Sequence, residues 1–140
     1  NIDAFIPDSY ISNEYQKLDV YKRIAGIENQ QDYDDMLEEL LDRFGEMPKA
    51  VLNLLAIARI KALAHRAYVA EIKQMGADLK ITLYEKARLD PAGIPGLLQK
   101  YRRGLQFKAE QEPKFLFTPV GKPLEALTDF LKELEKLAEE

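Results

Sequence analysis

The chain of 140 residues has 46% hydrophobic and 31% charged side chains, the balance of an ordinary globular protein of about one domain. It contains no cysteine and one histidine, His65, which excludes a disulfide scaffold, a thiolate zinc site and any centre needing two imidazoles. The net charge of −4 is laid out in blocks: four basic against eleven acidic side chains in residues 1–45, twelve against five in 46–109, and four against eight in 110–140.

In chain order, the opening segment through Phe5-Ile6-Pro7-Asp8-Ser9-Tyr10 reads as extended, because Pro7 disfavours helix at the residue before it. A helix is expected from about Ser12 to Ala25, with Ile11, Tyr15, Leu18, Tyr21 and Ile24 recurring at three- and four-residue spacing and Gly26 as its stop. A second is expected over about 31–44. Its apolar stripe is Tyr33, Met36, Leu37, Leu40, Leu41 and Phe44, acids crowd its first turns, and Gly45 ends it. Pro48 fits the first turn of a third helix reaching roughly Tyr68, apolar on most sides and therefore expected to be central and buried.

The period then changes from helical to alternating. Val69 to Gln74 and Leu79 to Tyr84 read as two strands of a hairpin turning at Met75-Gly76-Ala77-Asp78. A short helix is expected over about 95–102, ended by Gly104. Leu105 to Ala109 and Lys114 to Thr118 form a second hairpin around Gln111-Glu112-Pro113, and Pro123 opens a final amphipathic helix. The expectation is an α+β fold in one domain, 1–140: an N-terminal three-helix segment, then an antiparallel sheet of two hairpins with a short helix between them, and a C-terminal helix.

The residues of the usual catalytic constellations are missing. There is no G-x-x-x-x-G-K-[ST] loop, no G-x-S-x-G elbow and no cysteine nucleophile. His65 is read as a structural residue within the core helix. Paired carboxylates such as Asp34-Asp35 and Glu38-Glu39 lie on a solvated helix, where nothing gives their pKa values a reason to move. The expectation is a chain without enzymatic activity, bound metal or cofactor. No apolar run approaches the ~18–20 residues of a membrane helix. The opening Asn1-Ile2-Asp3 shows no signal peptide, so the chain reads as a cytoplasmic piece of a longer protein with no membrane contact.

Two signatures lie in the N-terminal half. The first is Ile6-Pro7-x-x-Tyr10-Ile11 followed by Leu18-Asp19-Val20-Tyr21-Lys22-Arg23-Ile24-Ala25. The second is Glu39-Leu40-Leu41-Asp42-Arg43-Phe44-Gly45-x-x-Pro48 leading into Asn53-Leu54-Leu55-x-Ile57-Ala58-Arg59, with a weaker third at Gly96-Leu97-Leu98-Gln99-Lys100. Together they resemble the C-terminal domain of the bacterial transcription-repair coupling factor (Mfd) family, over essentially the whole chain. That family is a multidomain ATP-driven DNA translocase that removes stalled RNA polymerase and recruits excision repair, with the motor, the polymerase-binding module and a UvrB-like module upstream of this domain.

What the resemblance implies for this chain is a regulatory clamp. It would pack on the UvrB-like module of the same protein and mask the surface that binds UvrA, while RNA polymerase and DNA are engaged by other domains. Carried onto this sequence, the docking contacts fall on Glu39 and Asp42, with Arg43 on the same surface or paired with Glu39 at i, i+4. Glu39 and Asp42, at i and i+3, are neighbours on a helix and lie off its apolar stripe. Their residue types and spacing alone fit equally a solvated acidic face. Similarly, the charge blocks fit either mutual neutralisation within the fold or an acidic face offered to a basic partner. Tyr10, Tyr21, Phe44 and Leu55 read as core or staple positions.

A second function is carried as an alternative: an accessory nucleic-acid-binding domain using the basic middle segment. Its contacts would be Lys100, Arg102 and Arg103, with Tyr101 as a ring to stack on a base. A purely structural cap on a neighbouring motor is a third.

Overall fold

The computed structural model describes residues 2–139. Three helices come first: α1 (Glu14–Ala25), α2 (Gln30–Phe44) and α3 (Lys49–Arg66). The hairpin of β1 (Val69–Met75) and β2 (Asp78–Leu83) follows, then α4 (Ile94–Tyr101), the hairpin of β3 (Leu105–Lys108) and β4 (Lys114–Phe117), and α5 (Pro123–Glu135). The α+β class, the element order and the antiparallel sheet are those expected from the sequence. The chain divides into two compact units, residues 1–62 and 63–140.

In the first unit, α1 begins where Asn13 caps it, its side chain accepting from the Gln16 N–H at 3.0 Å. Asn29 does the same for α2, accepting from Asp32 N–H at 2.8 Å. Their buried faces meet through Val20 and Ile24 of α1 and Met36 and Leu40 of α2, joined by Ile6, Ile11, Val51 and Leu55 in one apolar core. The N-terminal segment is fastened to this core by polar groups. Ile6 N–H donates to the Tyr21 hydroxyl at 2.8 Å, and Phe5 N–H to the Ala50 carbonyl at 3.3 Å.

Three expectations about faces need correction. Tyr15 and Leu18, placed on the apolar stripe of the first helix, are 86% and 57% exposed. Their place toward the core is taken by the aliphatic stem of Lys17, whose ammonium reaches Asp8 at the surface. Leu41 is likewise 56% exposed, because α2 buries a stripe centred on Met36 and Leu40. The third helix is not apolar-buried all round: Val51, Leu55 and Ile60 are buried while Leu52 is exposed. Pro48 stands just before the helix, its carbonyl accepting from Leu52 N–H at 3.1 Å.

In the second unit the strand order is β1-β2-β4-β3, with every neighbouring pair antiparallel. The β1–β2 turn places Gly76 at φ 64°, a conformation suited to glycine at the first central position of a two-residue hairpin turn. A bulge between Val69 and Glu71 shifts the alternation of β1, so that Val69 and Ile72 both serve the covered face. On that face, the pairing register aligns Ile72, Ile81, Phe115 and Phe107 in one row across all four strands. Phe130 of α5 seals it, fully buried, with its ring 5.5 Å from Phe115, 5.0 Å from Phe117 and 5.5 Å from Tyr101. The chain after α5 is tied down by Asp90 N–H donating to the Leu137 carbonyl at 2.8 Å and by a bridge between Leu89 and Ala138.

Candidate functional site

The C-terminal half of α2 holds the three residues expected to dock. Its end is fixed from both sides. Gly45 adopts φ 83°, ψ −161°, a region essentially reserved for glycine, and its N–H donates to the Leu41 carbonyl at 3.0 Å. The Tyr10 hydroxyl sits between the Leu40 and Gly45 carbonyls, at 3.1 and 3.0 Å, where its one proton is shared and ties the N-terminal segment to the end of the helix. The Tyr10 ring meets Phe44 at 5.8 Å between centroids, and the guanidinium of Arg43 lies 4.9 Å over the other ring of that pair. Burial raises the pKa of Tyr10, which keeps it a donor.

Glu39 does not stand free on this surface. Both of its oxygens accept from the guanidinium of Arg23 on α1, and Oε2 also accepts from Arg43 Nη1 at 2.9 Å. These hydrogen bonds, Arg23's foremost, hold its carboxyl at about 2, down from the usual 4.5, against the opposing effect of partial desolvation. Glu39 and Arg43 are therefore brought together, with Arg23 as a third member that no local pattern announces, since it lies 16 residues away. Asp42 is different. It is exposed and has no hydrogen-bond or ion-pair partner among the described residues, and Glu38 and Asp35 are exposed one and two turns before it on the same row.

The basic cluster of the alternative reading is divided by the structure. Lys100 is engaged by Glu133 at 3.0 Å, which Lys136 also contacts at 3.2 Å. These two lysines hold the Glu133 carboxyl below its usual range, Lys100 with the larger effect. Tyr101 is half-buried, its ring edge-on to Phe117 at 5.6 Å and to Phe130, with the Lys100 ammonium 5.7 Å from its centroid. Arg102, at φ 51°, and Arg103 are exposed without an ion pair among the described residues. His65 is also not where the sequence reading put it. It is exposed in the last turn of α3, beside an open cleft of about 590 Å³ that Arg66, Tyr68, Tyr84 and Glu135 also line. Among the described residues no group of three His, Asp or Glu is placed to hold a metal ion, and no helix is long and apolar enough to cross a membrane.

Comparison with known proteins matches the family model "TRCF domain" to residues 1–94, more than half of the chain. The chain belongs to the TRCF domain family. Curated relatives extend the similarity to its end: the transcription-repair-coupling factor of Staphylococcus epidermidis is 33% identical over 140 residues, 100% of this chain and 12% of that protein. The factor of Escherichia coli K12 is 29% identical over 137 residues, 96% of this chain and 12% of that protein. A crystal structure of the C-terminal domain of transcription-repair coupling factor superposes with a TM-score of 0.85 at 29% identity, covering 99% of this chain and 90% of the other. The chain thus corresponds to a TRCF C-terminal domain and spans about one eighth of the length of these curated relatives.

Proposed function

We propose that this TRCF domain is a non-catalytic regulatory clamp: it packs on the UvrB-like module of its own full-length protein and masks the surface that binds UvrA, until the motor engages RNA polymerase and DNA. The observation that carries this reading is the contrast between Asp42 and Glu39. Asp42 presents a free, exposed carboxylate on a helix end held rigid by Gly45, Tyr10 and the Arg23–Glu39–Arg43 cluster. An acidic contact on a rigid element meets a basic partner without ordering cost at the moment of binding. Asp42 makes the direct contact in this reading, and Glu39 positions Arg43 beside it.

A clamp between modules of one chain works with modest intrinsic affinity, because tethering supplies an effective concentration on the order of millimolar. It must also yield to a coupling energy of typically ~1–3 kcal/mol. Reversing the charge, Asp42→Arg, in the full-length protein is therefore expected to raise its affinity for UvrA by about 5- to 150-fold, the equivalent of that coupling. An unchanged UvrA affinity in a folded Asp42→Arg protein would overturn the assignment.

A further inference from the structure

The face of the sheet turned away from α5 carries two cross-strand rows, with the pair Met75–Asp78 beyond them at the β1–β2 turn; on it Lys73 and Lys108 are exposed, Lys80 and Lys114 half-buried and Thr82 buried. The pairing register aligns Lys73, Lys80, Leu116 and Gln106 in one, and Glu71, Thr82, Lys114 and Lys108 in the next. Four lysines consequently form a diagonal band with one member on every strand. Two pairs within it, Lys73–Lys80 and Lys108–Lys114, are directly opposed neighbours, an arrangement of like charges that weakens a sheet. Lysines on edge strands protect against edge-to-edge pairing, which accounts for Lys73 on β1 and Lys108 on β3. It does not account for Lys80 and Lys114, which stand on the two central strands. The acids nearby offset the band only in part. Glu110 pairs with Lys114 at 3.0 Å and also faces Lys108 and Lys80, Glu71 lies at the β1 end of its row, and Asp78 shares the face at the β1–β2 turn.

We propose that this lysine face binds the phosphate backbone of duplex nucleic acid. Four strands at ~4.8 Å spacing spread the band over roughly 14 Å, a length along which one DNA strand presents about four phosphates. The charges are all ammonium groups, suited to phosphates as point charges, with no arginine fork to read a base edge. No aromatic ring lies in either row, so there is no platform for stacking unpaired bases. Leu116, half-buried, is the only apolar side chain in the two rows, and the one exposed apolar side chain beside them, Met75, stands at the β1–β2 turn, away from the centre of the band. The contact is therefore sequence-independent. It lies on the second unit and shares no residue with the α2 surface of the proposed clamp, and each stands or falls without the other.

The test is fluorescence anisotropy of the 140-residue chain with a labelled duplex of about 20 base pairs, titrated over a series of salt concentrations. Binding is expected in the range of about 10⁻⁴–10⁻⁶ M, with log K falling against log salt at a slope of about −3. The double substitution Lys73→Gln/Lys80→Gln is expected to reduce the magnitude of that slope by about 2, with the fold checked by circular dichroism. Arg102→Gln/Arg103→Gln is expected to leave the slope unchanged. The proposal is overturned if no salt-dependent binding is found at low salt, or if the arginine pair rather than the lysines carries it. Equal affinity for polyglutamate would also overturn it, by assigning the face to an acidic polypeptide.

Discussion

At the scale of single residues, the Glu39 carboxylate is held well below its ordinary pKa, and its effect on stability has a definite sign. Its pKa is about 2 in the folded chain against an ordinary 4.5, so its ionised form stabilises the fold fully above pH 4.5. That contribution is lost as the pH falls toward 2. The difference in urea-unfolding stability between the native chain and Glu39→Gln is therefore expected to be constant near neutral pH and to shrink steadily below 4.5. A difference independent of pH would show that Arg23 and Arg43 do not hold the carboxylate in solution. Tyr10 supports the same helix end through its hydroxyl. Tyr10→Phe removes hydrogen bonding to two carbonyls and is expected to cost about 1 kcal/mol, read as a lower urea midpoint with an unchanged slope. The sequence marked Tyr10 and Phe44 as core or staple positions, and both pack against the apolar core of the first unit. It could not supply the Glu39–Arg23 pair, because the spacing of residues within α2 carries no information about a partner on α1.

At the scale of elements, boundaries were legible and faces less so. Asn13 and Asn29 as caps, Gly45 and Gly76 at special backbone angles, and Pro123 in the first turn of α5 punctuate the chain where local chemistry decides. Which side of α1 is buried depends on what it packs against. Periodicity placed Ile11 and Ile24 correctly but added Tyr15 and Leu18, whereas the fold buries Val20 instead and lays the stem of Lys17 along the same side. His65 escaped for a related reason: α3 reads as apolar throughout, yet its last turn is at the surface. One close approach was invisible in the sequence. Gly93 adopts ordinary right-handed angles, but a Cβ built there would lie 2.6 Å from Leu137 Cγ. The Leu137 backbone is held by the Asp90 hydrogen bond, so the contact is relieved only by moving its half-buried side chain. Gly93→Ala is accordingly expected to destabilise the chain by about 1–3 kcal/mol through overpacking, and a thermal midpoint equal to the native one would contradict this contact.

At the scale of the whole chain, the charge blocks acquire a spatial meaning within each unit. The unit of residues 1–62 holds seven basic against twelve acidic side chains, with the exposed row of Asp35, Glu38 and Asp42 among them. The unit of residues 63–140 is nearly balanced, with thirteen basic against twelve acidic, but gathers four of its lysines on one sheet face. The family match spans all of the first unit and the first hairpin of the second, and the structural match covers both. The proposed regulatory role rests on the α2 end of the first unit, and the most direct measurement is an NMR titration of the isotope-labelled chain with the UvrB-like module proposed as its partner. The account predicts localised shifts at Glu38, Asp42 and Arg43 that Asp42→Arg abolishes while the sheet resonances stay in place. Shifts confined to other elements, or shifts at α2 that survive the substitution, would contradict it.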